Sequence, residues 1–282
     1  MKINNKNNSI MENKPKIEEL LKLYIKDNAD LDNNTEIIIE NLKNISGAIE
    51  AVNKLGSELL HRLNDNLVLE TMYNYLAIAQ NDLKDYEILF ANKSYANAIY
   101  HMEQSIEKIA KSFYFLSSQS PEPRKVNHKS FKIIIKFLEE YEIFKILEKE
   151  NKFPLLNMMD SFLGDEDNII KINNAGLEPI IKIIETLDYF TKRPTNDEKN
   201  NYYNMTGLNL ALVIPSIYIF SKLLYLHESY TRYPDPNNKL QPNNYNLNLG
   251  IVAISPDIAK IIYNTIDIMI NIIESSKKYG EL

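Results

Sequence analysis

The chain has 282 residues, of which 44% are hydrophobic, and this is enough to build a core in one large domain or two small ones. It contains no cysteine, which excludes disulfides, thiolate metal sites and cysteine nucleophiles. A formal net charge of -6 gives no broad positive field, which argues against a general nucleic-acid binder.

The predicted secondary structure is almost entirely helical. The chain has only 7 glycines and 11 prolines, its apolar residues recur at spacings of three and four, and no stretch alternates as a strand would. We therefore expect an all-α fold. The predicted helices lie at residues 15–27, 35–64, 67–92, 94–117, 129–149, 153–163, 167–192 and 205–230, with a last one from Ser255-Pro256 to about Lys278.

Neither a signal peptide nor a membrane span is expected. The first residues, up to Lys14, lack the apolar core of a signal peptide. Residues 207–226 form the most apolar window, but Asn209, Pro215 and Lys222 interrupt it, so a buried core helix is predicted there. We expect a cytoplasmic protein.

Two helix boundaries are predicted from capping residues. The helices at 67–92 and 94–117 are expected to form an antiparallel hairpin because their connection is short, with Ser94 as the N-cap of the second. Ser255 and Pro256 are a suitable N-cap and first helical residue, so the last helix is expected to begin there.

The second helix of the hairpin carries polar residues beside its apolar seam. Its apolar stripe consists of Ile99, Met102, Ile106, Ile109 and Phe113. Gln104, Glu107, Lys108 and Lys111 share the neighbouring stripe. A purely structural helix needs only an apolar stripe and a solvent-exposed polar face on the opposite side. These four polar residues beside the apolar stripe therefore predict the lining of a groove. The alternative is that Glu107 and Lys111 form an exposed surface ion pair at i,i+4 spacing.

Several short elements occur in an order typical of one family. They are Ala79, Asp82 and Leu83 in the first helix of the hairpin, Tyr95 and Ala98 after the turn, the run Gln104–Lys111, then Asn127-His128, Arg232-Tyr233-Pro234-Asp235 and Ile254–Ala259. Together they resemble the HEPN family, the helical nucleotide-binding domain of higher eukaryotes and prokaryotes. The resemblance covers residues 68–128 and 228–276.

The resemblance implies a HEPN-like up-and-down helical bundle with additional helices. The core is then formed by residues 67–128 and 228–278, preceded by an N-terminal helical extension at 1–66 and interrupted by a helical insertion at 129–227 packed on the core. It also implies a non-catalytic module that binds a nucleotide or another phosphate-bearing small molecule. Such modules form homodimers, and many accompany a nucleotidyltransferase partner or belong to defence and toxin-antitoxin systems.

Arg232 is the sharpest candidate for a binding residue. Pro234 restricts its own backbone and that of Tyr233, so the Arg232 side chain extends from a defined backbone position. Its guanidinium is expected either to clamp Glu107 or to hold a ligand phosphate. The resemblance implies that Lys108 and Lys111 help to hold that phosphate. The complete ligand-binding set is Gln104, Glu107, Lys108, Lys111, His128, Arg232 and Tyr233.

His128 leaves an alternative function open. It precedes an apolar helix and is expected to cap it. HEPN ribonucleases carry an Arg followed after four to six residues by a His, whereas Arg124 and His128 have three residues between them. This pair defines the alternative, a metal-independent endoribonuclease toxin acting on RNA. A third hypothesis is a structural helical interaction protein.

No cofactor and no metal site are expected. His101 with Glu103, Glu107 or Asp82 offers plausible metal ligands. Only one histidine is available in this part of the sequence, which argues against a metal site. Exposed polar residues are the simpler interpretation.

Overall fold

The fold is all-α in the part of the chain that the structure describes. The computed structural model describes residues 59, 62–117, 130–140, 213–214, 216–234 and 240–279. These residues belong to one compact unit, Ala48–Leu282, and contain helices and turns but no strand. The predicted all-α class is therefore confirmed. The predicted helices at 15–27, 153–163 and 167–192 lie outside the described residues.

The helices of the described residues are α1 (Asn66–Ala91), α2 (Tyr95–Ser117), α3 (Phe131–Glu140), α4 (His227–Tyr230) and α5 (Gly250–Tyr279), with one 3₁₀ turn at Pro242–Asn244. The two predicted hairpin helices are confirmed, and α3 is the described part of the helix predicted at 129–149. Residues 216–224 are also helical, but a turn at 225–226 separates them from α4, so the helix predicted at 205–230 is interrupted.

The turn between α1 and α2 follows a standard way of ending a helix. The N–H of Ser94 donates to the carbonyl of Leu89 (2.8 Å), and that of Lys93 donates to the carbonyl of Phe90 (3.0 Å). Lys93 has a φ of 61°, in the left-handed region that this arrangement requires. These bonds supply donors to carbonyls at the end of α1 that would otherwise have no hydrogen-bond partner within the helix. The turn also directs α2 back along α1.

Short polar side chains hold the hairpin in one register. The Ser105 hydroxyl donates to the carbonyl of Ala79 (2.9 Å), and the Ser112 hydroxyl donates to the carbonyl of Met72 (3.1 Å). These hydroxyls are buried, and each lies where α2 passes the backbone of α1. The predicted apolar stripe of α2 is confirmed, because Ile99, Met102, Ile106, Ile109 and Phe113 are all fully buried.

The predicted start of the last helix is wrong. The helix α5 begins at Gly250, and Pro256 lies inside it. A proline lacks the N–H that would bond the carbonyl of Val252, but the Ser255 hydroxyl donates to that carbonyl instead (2.9 Å). Since this bond uses the only proton of Ser255 Oγ, the Tyr86 hydroxyl of α1 is the donor in its own bond to Ser255 (2.9 Å).

No described helix is both long and apolar enough to cross a lipid bilayer. The described part of the apolar window at 207–226 contributes Val213, Ile217 and Phe220 to the core. This is the behaviour expected of a buried helix.

Candidate functional site

The predicted polar residues of α2 are joined into a chain of contacts. Gln104 Nε2 donates to Glu103 Oε2 (2.8 Å), and Lys108 Nζ donates to Gln104 Oε1 (2.9 Å). Lys111 Nζ donates to Glu107 Oε1, and Lys108 Nζ lies 3.7 Å from the same oxygen. We call these five residues, Glu103, Gln104, Glu107, Lys108 and Lys111, the polar row.

The ion pairs of the polar row are largely buried. Only 4% of the Glu107 side chain is exposed, with 18% for Lys108 and 17% for Lys111. The pair between Glu107 and Lys111 is therefore not the exposed surface pair that its spacing suggested. Spacing identifies a helix face but not what covers that face. With little water to screen it, the shared carboxylate holds both ammonium groups in place.

Glu103 is the most buried acid of the polar row. Only 1% of the residue is exposed, and its Oε1 has no hydrogen-bond partner in the described part of the chain. Burial raises the pKa of Glu103 to about 8, and the negative charge of Glu107 adds to the rise. At neutral pH Glu103 is therefore mostly uncharged. The single carboxylate of Glu107 then faces two lysines, which leaves the row with a net positive charge.

Arg232 contacts two tyrosine rings. Its guanidinium carbon is 5.1 Å from the centre of the Tyr100 ring and 5.0 Å from that of Tyr233. Arg232 Nη1 donates to Glu228 Oε1 (2.9 Å) within the same short segment. The predicted clamp between Arg232 and Glu107 is thus not formed, because Arg232 pairs with Glu228. We call Tyr100, Glu228, Arg232 and Tyr233 the Arg232 cluster.

The Arg232 cluster continues the polar row toward the beginning of α2. Tyr100 lies one helical turn before Gln104 on the same face, and the charge of Glu228 contributes to the raised pKa of Glu103. From Tyr100 to Lys111 the face is about 16 Å long at the helical rise per residue. The polar row and the Arg232 cluster therefore follow one face of α2, which runs from the exposed Arg232 to the largely buried Lys111.

The remaining predicted residues are not described. His128, assigned to the binding set, lies outside the described residues. So does Arg124, and with it the alternative ribonuclease pair.

A second group of polar residues links α1 to α2. His101 Nδ1 lies 3.3 Å from Asp82 Oδ1 and 3.8 Å from Asp85 Oδ2. Sequence reasoning paired His101 with Asp82 as one option for a metal ligand set but missed Asp85. The signal was present, because Asp85 follows Asp82 by three residues and therefore shares its helix face. Glu103 and Glu107, the other acids considered with His101, belong to the polar row.

Comparison with known families bears on the hairpin. Residues 72–159 match the model of the HEPN domain, a range that contains most of α1 and all of α2 and α3. The resemblance found in the sequence is confirmed for this part of the chain. The matched range also continues past residue 128, into the segment that the sequence analysis assigned to an insertion. No curated protein and no solved structure matches the chain.

Proposed function

We propose that this chain, whose residues 72–159 match the model of the HEPN domain, is a non-catalytic binding module for a nucleotide or another phosphate-bearing small molecule. In this proposal a phosphate of the ligand contacts Arg232. The rest of the ligand lies along the face of α2 that carries the polar row, toward Lys108 and Lys111.

The observation that carries the proposal is the geometry of Arg232. A guanidinium has several N–H donors in a planar fork that matches the oxygens of a phosphate, and only Nη1 is used by Glu228. The guanidinium carbon also lies 5.1 Å from the centre of the Tyr100 ring and 5.0 Å from that of the Tyr233 ring. Because these contacts and the bond to Glu228 restrict the side chain, binding a phosphate loses less conformational entropy. The side chain is 40% exposed and thus within reach of a ligand.

Tyr233 supports the choice of a nucleotide as ligand. Its side chain stays close to Arg232, yet 53% of the residue is exposed. An exposed aromatic ring beside a cation offers a base a surface for stacking and its phosphate a partner. Inorganic phosphate would use only the second of these contacts.

The charge of the polar row supports an anionic ligand. With Glu103 protonated, Lys108 and Lys111 together exceed the single negative charge of Glu107. A lysine acts as a movable point charge, so either ammonium can turn from Glu107 toward a phosphate oxygen. Glu107 then serves to keep both lysines in position when no ligand is bound.

The biological setting is a further part of the proposal and rests on the family resemblance alone. We propose that the chain forms a homodimer and acts beside a nucleotidyltransferase partner or within a defence or toxin-antitoxin system. Fold similarity does not determine function, so the ligand test comes first.

Thermal unfolding of the full chain with a panel of nucleotides tests the proposal. A ligand that binds only the folded state stabilises it by about 2.7 kcal/mol at a concentration of 100 dissociation constants, which is a measurable rise in Tm. We expect such a rise for wild type and for Lys132→Ala, which removes an exposed cation of α3, and none for Arg232→Ala. The proposal is wrong if no nucleotide raises the Tm, or if Arg232→Ala responds as wild type does.

Two further variants separate base stacking from phosphate binding. Tyr233→Phe keeps the ring and is expected to bind nucleotides like wild type, whereas Tyr233→Ala is expected to bind them more weakly. Both should respond equally to inorganic phosphate. An equal response of the two variants to nucleotides would remove the stacking contact from the proposal and leave a phosphate site.

A further inference from the structure

A cluster of three potential metal ligands lies at the surface of the α1/α2 hairpin. It consists of Asp82 and Asp85, which follow each other by three residues on α1, and His101 on α2. Their ligand atoms all lie within 4.8 Å of one another. The exposed fraction rises from 18% for the Asp82 side chain to 29% for His101 and 55% for Asp85, so one side of the cluster faces solvent.

The donor set is mixed. One imidazole nitrogen and two carboxylate oxygens are ligands that divalent transition metals accept, whereas Mg²⁺ and Ca²⁺ favour oxygen alone. The same atom, His101 Nδ1, faces both carboxylates. The position between Nδ1 and the two oxygens is therefore suited to a small cation. A cluster of carboxylates alone would lack this nitrogen, and with it the preference for a transition metal over Mg²⁺ or Ca²⁺.

The observed distances are close to those of an assembled site. Zinc bonds to nitrogen and oxygen of about 2.0–2.2 Å place neighbouring ligand atoms of a tetrahedron roughly 3.3–3.6 Å apart. The distances from His101 Nδ1 are 3.3 Å to Asp82 Oδ1 and 3.8 Å to Asp85 Oδ2. The two carboxylates lie within 4.8 Å of each other, so binding requires the exposed Asp85 side chain to move slightly closer. Water from the exposed side supplies the remaining ligand position.

The backbone beneath the cluster is held firmly. Leu83 and Met102, which neighbour the ligands in sequence, are fully buried. One turn away, the Ser105 hydroxyl bonds the carbonyl of Ala79 and fixes how far α2 is shifted along α1. Ligands on rigid helices keep their mutual positions, and this favours metal binding because little ordering is required.

We propose that Asp82, Asp85 and His101 bind one divalent transition-metal ion, such as Zn²⁺, at an open surface site. The His101 ring contacts the Tyr100 ring of the Arg232 cluster, with ring centres 5.4 Å apart. None of the three residues belongs to the polar row or to the Arg232 cluster, so the metal site does not rest on the nucleotide-binding function proposed above.

Cobalt binding to the full chain tests the site. After treatment with a chelator, the protein is titrated with Co²⁺, whose visible absorption reports on its ligands, and Zn²⁺ is then added as a competitor. We expect one saturable equivalent with the absorption of a low-coordinate site, displaced by Zn²⁺. Absence of saturable binding overturns the proposal.

Variants locate the bound ion. Asp85→Asn changes an exposed residue and should fold normally, yet we expect it to weaken Co²⁺ binding by roughly tenfold or more. His101→Gln should abolish the absorption band, while Glu70→Gln, which changes an exposed acid elsewhere on α1, should bind like wild type. Circular dichroism of each variant verifies folding. If His101→Gln and Asp85→Asn both bind Co²⁺ like wild type, the ion lies elsewhere and the proposal is wrong.

Discussion

The polar row and the Arg232 cluster share one face of α2 but neutralise their charges differently. In the polar row, Glu107 is almost completely buried and holds two lysines by itself. In the Arg232 cluster, the cation is 40% exposed, pairs with a single acid, Glu228, and lies near two aromatic rings. The comparison teaches that charges on one helix face can serve two purposes. The buried charges are paired with one another inside the protein, and the exposed one is the charge to which we assign the first contact with a phosphate.

The largest expected effect is the removal of the shared carboxylate of the polar row. Glu107→Ala leaves the ammonium groups of Lys108 and Lys111 largely buried without their anion, so we expect a loss of about 3 kcal/mol in the free energy of unfolding. Urea denaturation measures it. Glu107→Gln keeps the shape but not the charge and should lose nearly as much. If the free energy of unfolding falls by less than about 1 kcal/mol in both variants, the ion pairs of the polar row contribute no more than solvent-exposed ion pairs do.

The second prediction concerns the pH dependence that Glu103 introduces. Its pKa is about 8 in the folded protein against an ordinary value of 4.5, so the unfolded chain loses this proton at lower pH. Glu103 therefore supports folding most below pH 4.5, and this support is lost as the pH rises through 8. We expect Glu103→Gln to be about 2 kcal/mol more stable than wild type at pH 8.5, with a flatter profile between pH 7 and 9.

A buried histidine requires that this measurement be made above pH 7. Burial lowers the pKa of His227 to about 4, from 6.5, so its contribution to stability is lost as the pH falls through that interval. The two groups act with opposite sign and their pH ranges overlap between 4.5 and 6.5, so the effect of Glu103 is separated from that of His227 only above pH 7. Equal profiles of wild type and Glu103→Gln above pH 7 would contradict the raised pKa of Glu103.

The third prediction extends the comparison to a buried contact between α1 and α5. Ser255→Ala removes the donor to the carbonyl of Val252 and the acceptor for the Tyr86 hydroxyl. We expect a loss of about 1.5 kcal/mol because two buried polar groups lose their partner. In a Tyr86→Phe background the same substitution should cost less. Additive losses would show that the hydroxyl bond between the helices contributes nothing.

The smallest expected effect concerns the ion pair of the exposed region. Arg232 and Glu228 are four residues apart, and the arginine is well exposed, so a double-mutant cycle should give a coupling energy of about 0.5 kcal/mol or less. The cycle uses Arg232→Ala, Glu228→Ala and the double variant in urea denaturation. A coupling above about 2 kcal/mol would assign Arg232 a structural role, and the contrast with the polar row would disappear.

The sequence predicted helices and their faces better than it predicted their surroundings. Apolar spacing located the hairpin and the stripe from Ile99 to Phe113 because both depend on a local period of the chain. The burial of Glu107 depends on which parts of the molecule cover α2, and no local pattern encodes that. The start of α5 was wrong for a related reason. Proline favours a helix start in general, but at Pro256 the hydroxyl of Ser255 replaces the missing donor.

The candidate sites were only partly within reach of the sequence. Arg232 and Tyr233 were identified from the family resemblance and from the backbone restriction by Pro234, yet the contact of Arg232 with Tyr100 arises from packing of α4 on α2. Likewise, Asp82 and His101 meet because the hairpin adopts one register, which depends on the turn at Lys93 and on the buried serine hydroxyls. Such contacts follow from three-dimensional geometry and not from spacing along the chain.

The bond between Tyr86 and Ser255 has a consequence for the order of folding. The two residues are 169 positions apart, whereas Ser105 and Ala79, which join the hairpin, are separated by 26. Contacts that close short loops form first because they cost less chain entropy. We therefore expect the hairpin to assemble early, with the Tyr86 hydroxyl bonded to water. That hydroxyl exchanges water for Ser255 only when α5 docks, so its environment would report on the last stage of folding.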